Sequence, residues 1–214
     1  MRRVLVLALL ALALPIAAWA DGIDITNEFG TVAISAINGG LGTIGVTTIT
    51  SKGSQLTQWN STTGHLGTLS FATGALTSGT VSGGGTFAAG GYFDIVGVGT
   101  WANQLTGGKC GHGCSLFTGS FVGPVTWTLL SSTKQESSFE LSGTITGTLW
   151  NERMVSGTTN QYINILSRGQ LTQGIGHVEM GNSHLNVPEP GTLGLLGTGL
   201  VGIAGMFRRK MTRA

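Results

Sequence analysis

The sequence predicts an all-β protein, an antiparallel β-sandwich or barrel, on three observations. Short runs rich in Val, Ile, Thr, Phe and Trp alternate apolar with hydroxyl-bearing side chains. Glycine clusters such as Asn38-Gly39-Gly40, Gly83-Gly84-Gly85 and Gly90-Gly91 punctuate these runs, and such residues accept the positive φ of tight turns. No window outside the two chain ends holds a 3.6-residue period. Fragments such as Ser78-Gly79-Thr80, Ser142-Gly143-Thr144 and Ser156-Gly157-Thr158 recur without a fixed spacing, so a β-solenoid is the alternative and not the first reading.

Taken in order, Ile23 to Thr26 is a short apolar–polar start, and Thr31 to Ile37 alternates and is β-branched. Thr43 to Thr50, Leu66 to Thr73 and Tyr92 to Val98 follow as strands, with Val81 and Thr86 to Ala88 flanking the triple glycine. Phe117, Gly119 and Phe121 share a face, and Pro124 then marks a strand edge or bulge because it has no N–H to donate. Val125, Trp127 and Leu129 alternate with Thr126 and Thr128. The cleanest strand is Phe139 to Leu149. Phe139, Leu141, Ile145 and Leu149 face one way, and Glu140, Ser142, Thr144, Thr146 and Thr148 the other. Gly143 and Gly147 fall on the apolar face, where a ring or a backbone can approach closely. By the same parity Trp150 is exposed. Tyr162 to Leu166 and Gly169 to Val178 close the set. The weak candidate for a domain boundary is Asn103 to Lys109.

The two ends follow different rules. Arg2 and Arg3 precede an apolar stretch from Val4 to Leu14, and Ala18-Trp19-Ala20 forms an A-x-A cleavage site. This is a secretory signal peptide, with the mature chain expected to start at Asp21. At the other end Val187-Pro188-Glu189-Pro190 precedes an apolar run from Gly191 to Phe207, then Arg208, Arg209 and Lys210. Two prolines stop regular structure from running through this point. The seventeen-residue run spans about 26 Å as a helix at about 1.5 Å per residue, enough to serve as a transmembrane segment. The basic tail holds it on the cytoplasmic side. Three parts are therefore expected: a signal peptide over 1–20, an all-β passenger over 21–186, and a C-terminal signal over 187–214.

Those C-terminal residues resemble the PEP-CTERM sorting signal of Gram-negative bacteria. The resemblance implies that exosortase, a membrane-embedded cysteine transpeptidase, processes the chain near Pro188-Glu189-Pro190. It also implies transient anchoring in the inner membrane and delivery to the cell surface or the exopolysaccharide matrix. It covers only the tail and says where the passenger goes, not what it does there.

The sequence pI near 8.7 misleads, because six of the eleven basic residues lie in the two signals. The passenger keeps Lys52, Lys109, Lys134, Arg153 and Arg168 against Asp21, Asp24, Glu28, Asp94, Glu136, Glu140, Glu152 and Glu179, a net charge of −3. A basic footprint for nucleic acid is lacking. With charge this scarce, Ser and Thr must supply the polar surface, while the regularly placed apolar residues supply the core that a disordered chain would lack.

Few residues suggest chemistry. Cys110-Gly111-His112-Gly113-Cys114 reads first as a disulfide between Cys110 and Cys114, since exported cysteines pair. A Cys-His-Cys metal cluster would want a fourth ligand, and free thiols are the third reading. His65, His177 and His184 are isolated in sequence, although His177 and His184 could meet in space. Gly197 to Gly202 and Gly97 to Ala102 imitate dinucleotide fingerprints without the strand–helix context, and Ser131-Ser132-Thr133-Lys134 imitates a penicillin-recognising motif in a polar turn. Glu136 and Glu140 are a conceivable hydrolytic pair. Trp59, Trp101, Trp127 and Trp150 could stack on sugars, although core packing is the simpler role. No cofactor or metal is called for. The expected function is a non-enzymatic structural or adhesive protein of the surface or matrix, in contact with extracellular polysaccharide. A carbohydrate-binding module and a secreted glycan hydrolase are the alternatives.

Overall fold

The computed structural model describes residues 21–37, 46–111, 113–166 and 175–187. The expected signal-peptide and transmembrane helices lie outside them. The elements are β1 (Asp21–Glu28), β2 (Thr31–Ile37), β3 (Val46–Trp59), β4 (Thr62–Ala72), β5 (Leu76–Thr80), β6 (Gly84–Phe87), β7 (Gly90–Gly97), a short helix α1 (Gly99–Leu105), β8 (Cys114–Phe121), β9 (Val125–Ser132), β10 (Glu136–Leu149), β11 (Met154–Leu166) and β12 (Ile175–Val187). The strands of the ring pair antiparallel. β2, β3, β4, β7, β8, β10, β11 and β12 pair in a ring, and β12 returns to β2, so the sheet closes as an eight-stranded barrel. Closure rules out the solenoid and chooses barrel over sandwich.

The remaining segments continue neighbouring staves. β1 runs into β2 across Phe29 and Gly30, with Phe29 at φ 61°. Val178 of β12 bridges that kink: Phe29 N donates to Val178 O (2.9 Å), and Val178 N donates to Gly30 O (2.8 Å). β8 runs into β9 across Pro124, and both pair with β10; the proline sits at a kink where no ladder bond is demanded of it. β5 and β6 likewise extend β4 and β7. The chain therefore rises and falls as a meander, closed by its first and last staves.

Period-two alternation decides which side chains fill the interior. Phe71, Phe93, Phe117 and Phe121 pack there with ring centroids 6.0–6.4 Å apart. Trp127 stacks on Phe139 at 4.3 Å and donates its indole N–H to Val81 O (2.8 Å). Gly147 pairs with Gly119 across β10 and β8. A Cβ at Gly147 would meet the Thr118 carbonyl, and Phe117 Cζ at 2.7 Å. At Gly143 it would lie 2.9 Å from the Phe121 ring. Both glycines admit a ring, as their place on the apolar face suggests.

The opposite wall of the interior is polar. Asn27, Thr159, Gln161 and Ser183 are all buried. Asn27 Nδ2 donates to Gln161 Oε1 (2.9 Å), and Gln161 Nε2 donates to Asn27 Oδ1 (3.2 Å) and Thr159 Oγ1 (2.9 Å). Ser183 Oγ donates to Thr159 Oγ1 (2.7 Å). Gly181 makes room for this pair, because a Cβ there would strike both amides.

Several local expectations need correction. The third strand does not end at Thr50. It runs on to Trp59 through a bulge at Ser51 to Ser54, where Gly53 takes φ 68°. Lys52-Gly53-Ser54 has the composition of a turn, but pairing with β2 and β4 holds it in the sheet. The last strand starts at Ile175 and extends to Val187, past the expected end at Val178, through a bulge opposite Tyr162 and Ile163. The helix α1 had no sequence signal, because seven residues are too few to display a period. Asn103 to Lys109 is no domain boundary; it holds the end of α1 and the turn after it. Trp150 is half-buried, not exposed.

Candidate functional site

The walls of β11, β12, β1 and β3 carry two rows of outward polar side chains. Register places Thr158 beside His184 and Asn160 beside Asn182, and it places Thr26 beside Gln58. Asp24 completes the row of His184. Together they line a groove of about 390 Å³, within the ~300–1,000 Å³ usual for small-ligand sites. Thr26 Oγ1 donates to Asn182 Oδ1 (3.3 Å), and Gln58 Nε2 donates to Asn60 O (2.8 Å).

His184 Nδ1–H donates to Asp24 Oδ1 at 2.6 Å, in the open. Its Nε2 faces the Asn186 amide, 3.2 Å from Oδ1. A neutral ring accepts there from the amide N–H once the amide is turned over; a protonated ring donates to the oxygen. A carboxylate–imidazole pair serves acyl transfer only with a hydroxyl or thiol on the second ring nitrogen. Here an amide takes that place, and Ser183 points into the barrel toward Thr159. The ring rests on Gly22, where a Cβ would collide with it.

At the barrel end where β3 meets β4, three of the four tryptophans among the described residues gather. Trp59 lies 6.1 Å from Trp101 and 6.0 Å from Trp150. Trp101 donates its N–H to Leu66 O (2.8 Å), which pins α1 over the barrel mouth. Trp127 is deep in the core. Trp59 and Trp127 are core residues, Trp101 and Trp150 are half-buried, and the three clustered rings meet tilted and edge-on, not as a flat platform.

Cys110 and Cys114 form a disulfide with Cα atoms 5.2 Å apart, inside the range that a bridge requires. Both sulfurs are thereby removed from metal binding. His112 lies outside the described residues. Glu136 and Glu140 are four residues apart on one strand, so their Cα atoms are about 13 Å apart at about 3.3 Å per residue. Neither carboxylate lines the groove. His177 and His184 are seven residues apart on β12, about 23 Å by the same rise, so they do not meet. Gly97 to Ala102 does run from a strand into a helix, contrary to expectation. The next strand, however, is antiparallel, and the βαβ unit that a dinucleotide site needs is not formed. Ser131 to Lys134 sits in and beside the turn between β9 and β10.

The groove residues Asp24, Gln58, Asn160 and Asn182 were missed from the sequence. Gln58, Asn160 and Asn182 fall outside the strand segments expected from alternation, and the closure that sets β12 beside β1 has no local signal. Val187 is buried and ends β12, just before Pro188. Pro188, Glu189, Pro190, Arg208, Arg209 and Lys210 lie outside the described residues, as do Ala18 and Ala20, while Asp21 opens β1. The family model for the PEP-CTERM protein-sorting motif matches residues 186–210. The chain carries a PEP-CTERM sorting motif. The motif marks an exported protein that is anchored transiently in the membrane and processed by exosortase, a membrane enzyme. Comparison of the chain with curated proteins and with solved structures gives no match. The PEP-CTERM motif therefore accounts for the tail, and the barrel must be read from its own geometry. Among the described residues no helix is long and apolar enough to cross a membrane.

Proposed function

We propose that the barrel is a non-enzymatic structural or adhesive protein, released by its sorting signal to the cell surface or extracellular matrix of a Gram-negative bacterium. The supporting observation is the outer wall. Ser142, Thr144, Thr146 and Thr148 on β10 and Ser156, Thr158 and Asn160 on β11 present an uncharged array of hydroxyls and amides. Such a wall exchanges hydrogen bonds with polyhydroxylated polymer at little desolvation cost, and its lack of charge spares it ionic-strength dependence. A barrel embedded in lipid needs the reverse arrangement, apolar outside. The test is co-sedimentation of the exported protein with the producing cell's insoluble surface polymer. Retention that survives 1 M salt supports the reading. Protein that stays in the supernatant, or polymer that it depolymerises, refutes it.

A further inference from the structure

We infer that the groove across β11, β12, β1 and β3 is a binding site for a short segment of neutral glycan, held through vicinal hydroxyls. This deepens the adhesive reading and rests on it. The groove spans four strands, about 14 Å at about 4.8 Å between neighbours. Its free hydrogen-bonding groups are of both kinds. Asp24 Oδ2 and Thr158 Oγ1 can accept, and Asn182 Nδ2 and both ends of the Asn160 amide have no hydrogen-bond partner among the described residues. Adjacent hydroxyls on a sugar ring each donate and accept, so they match alternating carboxylate, amide and hydroxyl partners.

The chemistry also selects against other ligands. Among the described residues no lysine or arginine lines the groove, so phosphate and sulfate lack a counter-charge. The strands beneath it are paired on both sides in the closed ring, so no backbone edge is free for a peptide strand. The Asp24–His184 contact and the bond from Thr26 to Asn182 fix four of the side chains before any ligand arrives, which lowers the entropy lost on binding. Among the described residues no Trp, Tyr or Phe ring lines the groove, so each contact is weak, and useful retention comes from many barrels meeting one polymer.

The test uses the full chain in detergent, titrated with cellohexaose, maltohexaose, xylohexaose and mannohexaose, and with heparin hexasaccharide as the anionic probe. At least one neutral hexasaccharide should bind with a Kd near or below about 1 mM. Asn160→Ala with Asn182→Ala should weaken it tenfold or more, and Thr128→Ala, exposed on β9 away from the groove and from that wall, should leave it unchanged. Neutral binding that is indifferent to the double substitution overturns the groove assignment, as does binding of heparin hexasaccharide alone or of no hexasaccharide. The two readings fail separately. If the double variant still co-sediments with surface polymer as the parent does, the groove inference falls and the adhesive role stands; if the parent does not co-sediment, the adhesive role falls.

Discussion

Asp94 is the least comfortable residue of the barrel wall. It lies on β7 between Ser70 of β4 and Thr118 of β8, and its buried Oδ1 has no hydrogen-bond partner among the described residues. Burial strips water from the carboxylate and raises its pKa above the usual 3.8. A raised carboxylate pKa means that the folded state holds its proton more tightly than the unfolded one. This group's contribution is therefore most favourable below pH 3.8 and is lost as pH rises through the folded value. Asp94→Asn should accordingly raise the melting temperature at pH 7, with the gain shrinking to nothing near pH 3; a gain that is the same at both pH values would contradict this account. Gly147 makes a sharper test of packing. Gly147→Val must displace Phe117 or part β10 from β8, a cost of about 1–3 kcal/mol or more. Gly123→Ala, where a Cβ meets nothing within 4 Å, should leave the urea midpoint nearly unchanged.

Among the elements, α1 depends most on its surroundings. Seven residues cannot sustain an isolated helix in water, and its first turn has no side-chain cap. What holds it is tertiary: Trp101 bonded to Leu66, Ala102 wedged against Gly97 and Leu116, and the loop behind it closed by the disulfide. Asn103 Oδ1 also accepts from Cys110 N (3.2 Å), tying helix to bridge. Replacing Cys110 and Cys114 with serine should cost about 2 kcal/mol on the chain-entropy model for so short a loop. Hydrogen exchange should then quicken first in Gly99–Leu105 and leave β10 and β11 protected. Equal loosening of all strands would show that the bridge supports the barrel and not its lid.

At the level of the whole molecule the seam between first and last staves decides whether a barrel exists. The Asn27–Gln161 amide pair spans it from inside, and Asp24–His184 spans it from outside. Gln161→Leu leaves the buried Asn27 amide without its partner, which should cost about 1–3 kcal/mol by urea unfolding. Adding Asn27→Leu should recover part of that loss, since removing both partners is milder than orphaning one. The tail is a separate matter of sorting. Alanines in place of Pro188, Glu189 and Pro190 should leave a larger form in the membrane fraction. C-terminal mass spectrometry of the released parent protein should find no Arg213-Ala214; if that dipeptide persists, the segment is only an anchor.

Much of this was written locally. Alternation in Phe139 to Leu149 named the inward residues correctly, because side-chain direction in a strand has a period of two whatever the partner. The glycine-spaced cysteines in an exported chain foretold their bridge, and the order of Pro-Glu-Pro, apolar run and basic end identified the sorting motif from linear chemistry alone. The tertiary structure settled what no window could contain. Whether the sheet closes depends on residues near 25 and near 182 finding each other, and neither stretch encodes that meeting. The bulge at Ser51 to Ser54 and the kink at Phe29-Gly30 look like turns until neighbouring strands supply their hydrogen bonds. The groove, likewise, is built from four strands whose adjacency is a product of closure, and Gln58, Asn160 and Asn182 lie beyond the strand segments that local alternation marked.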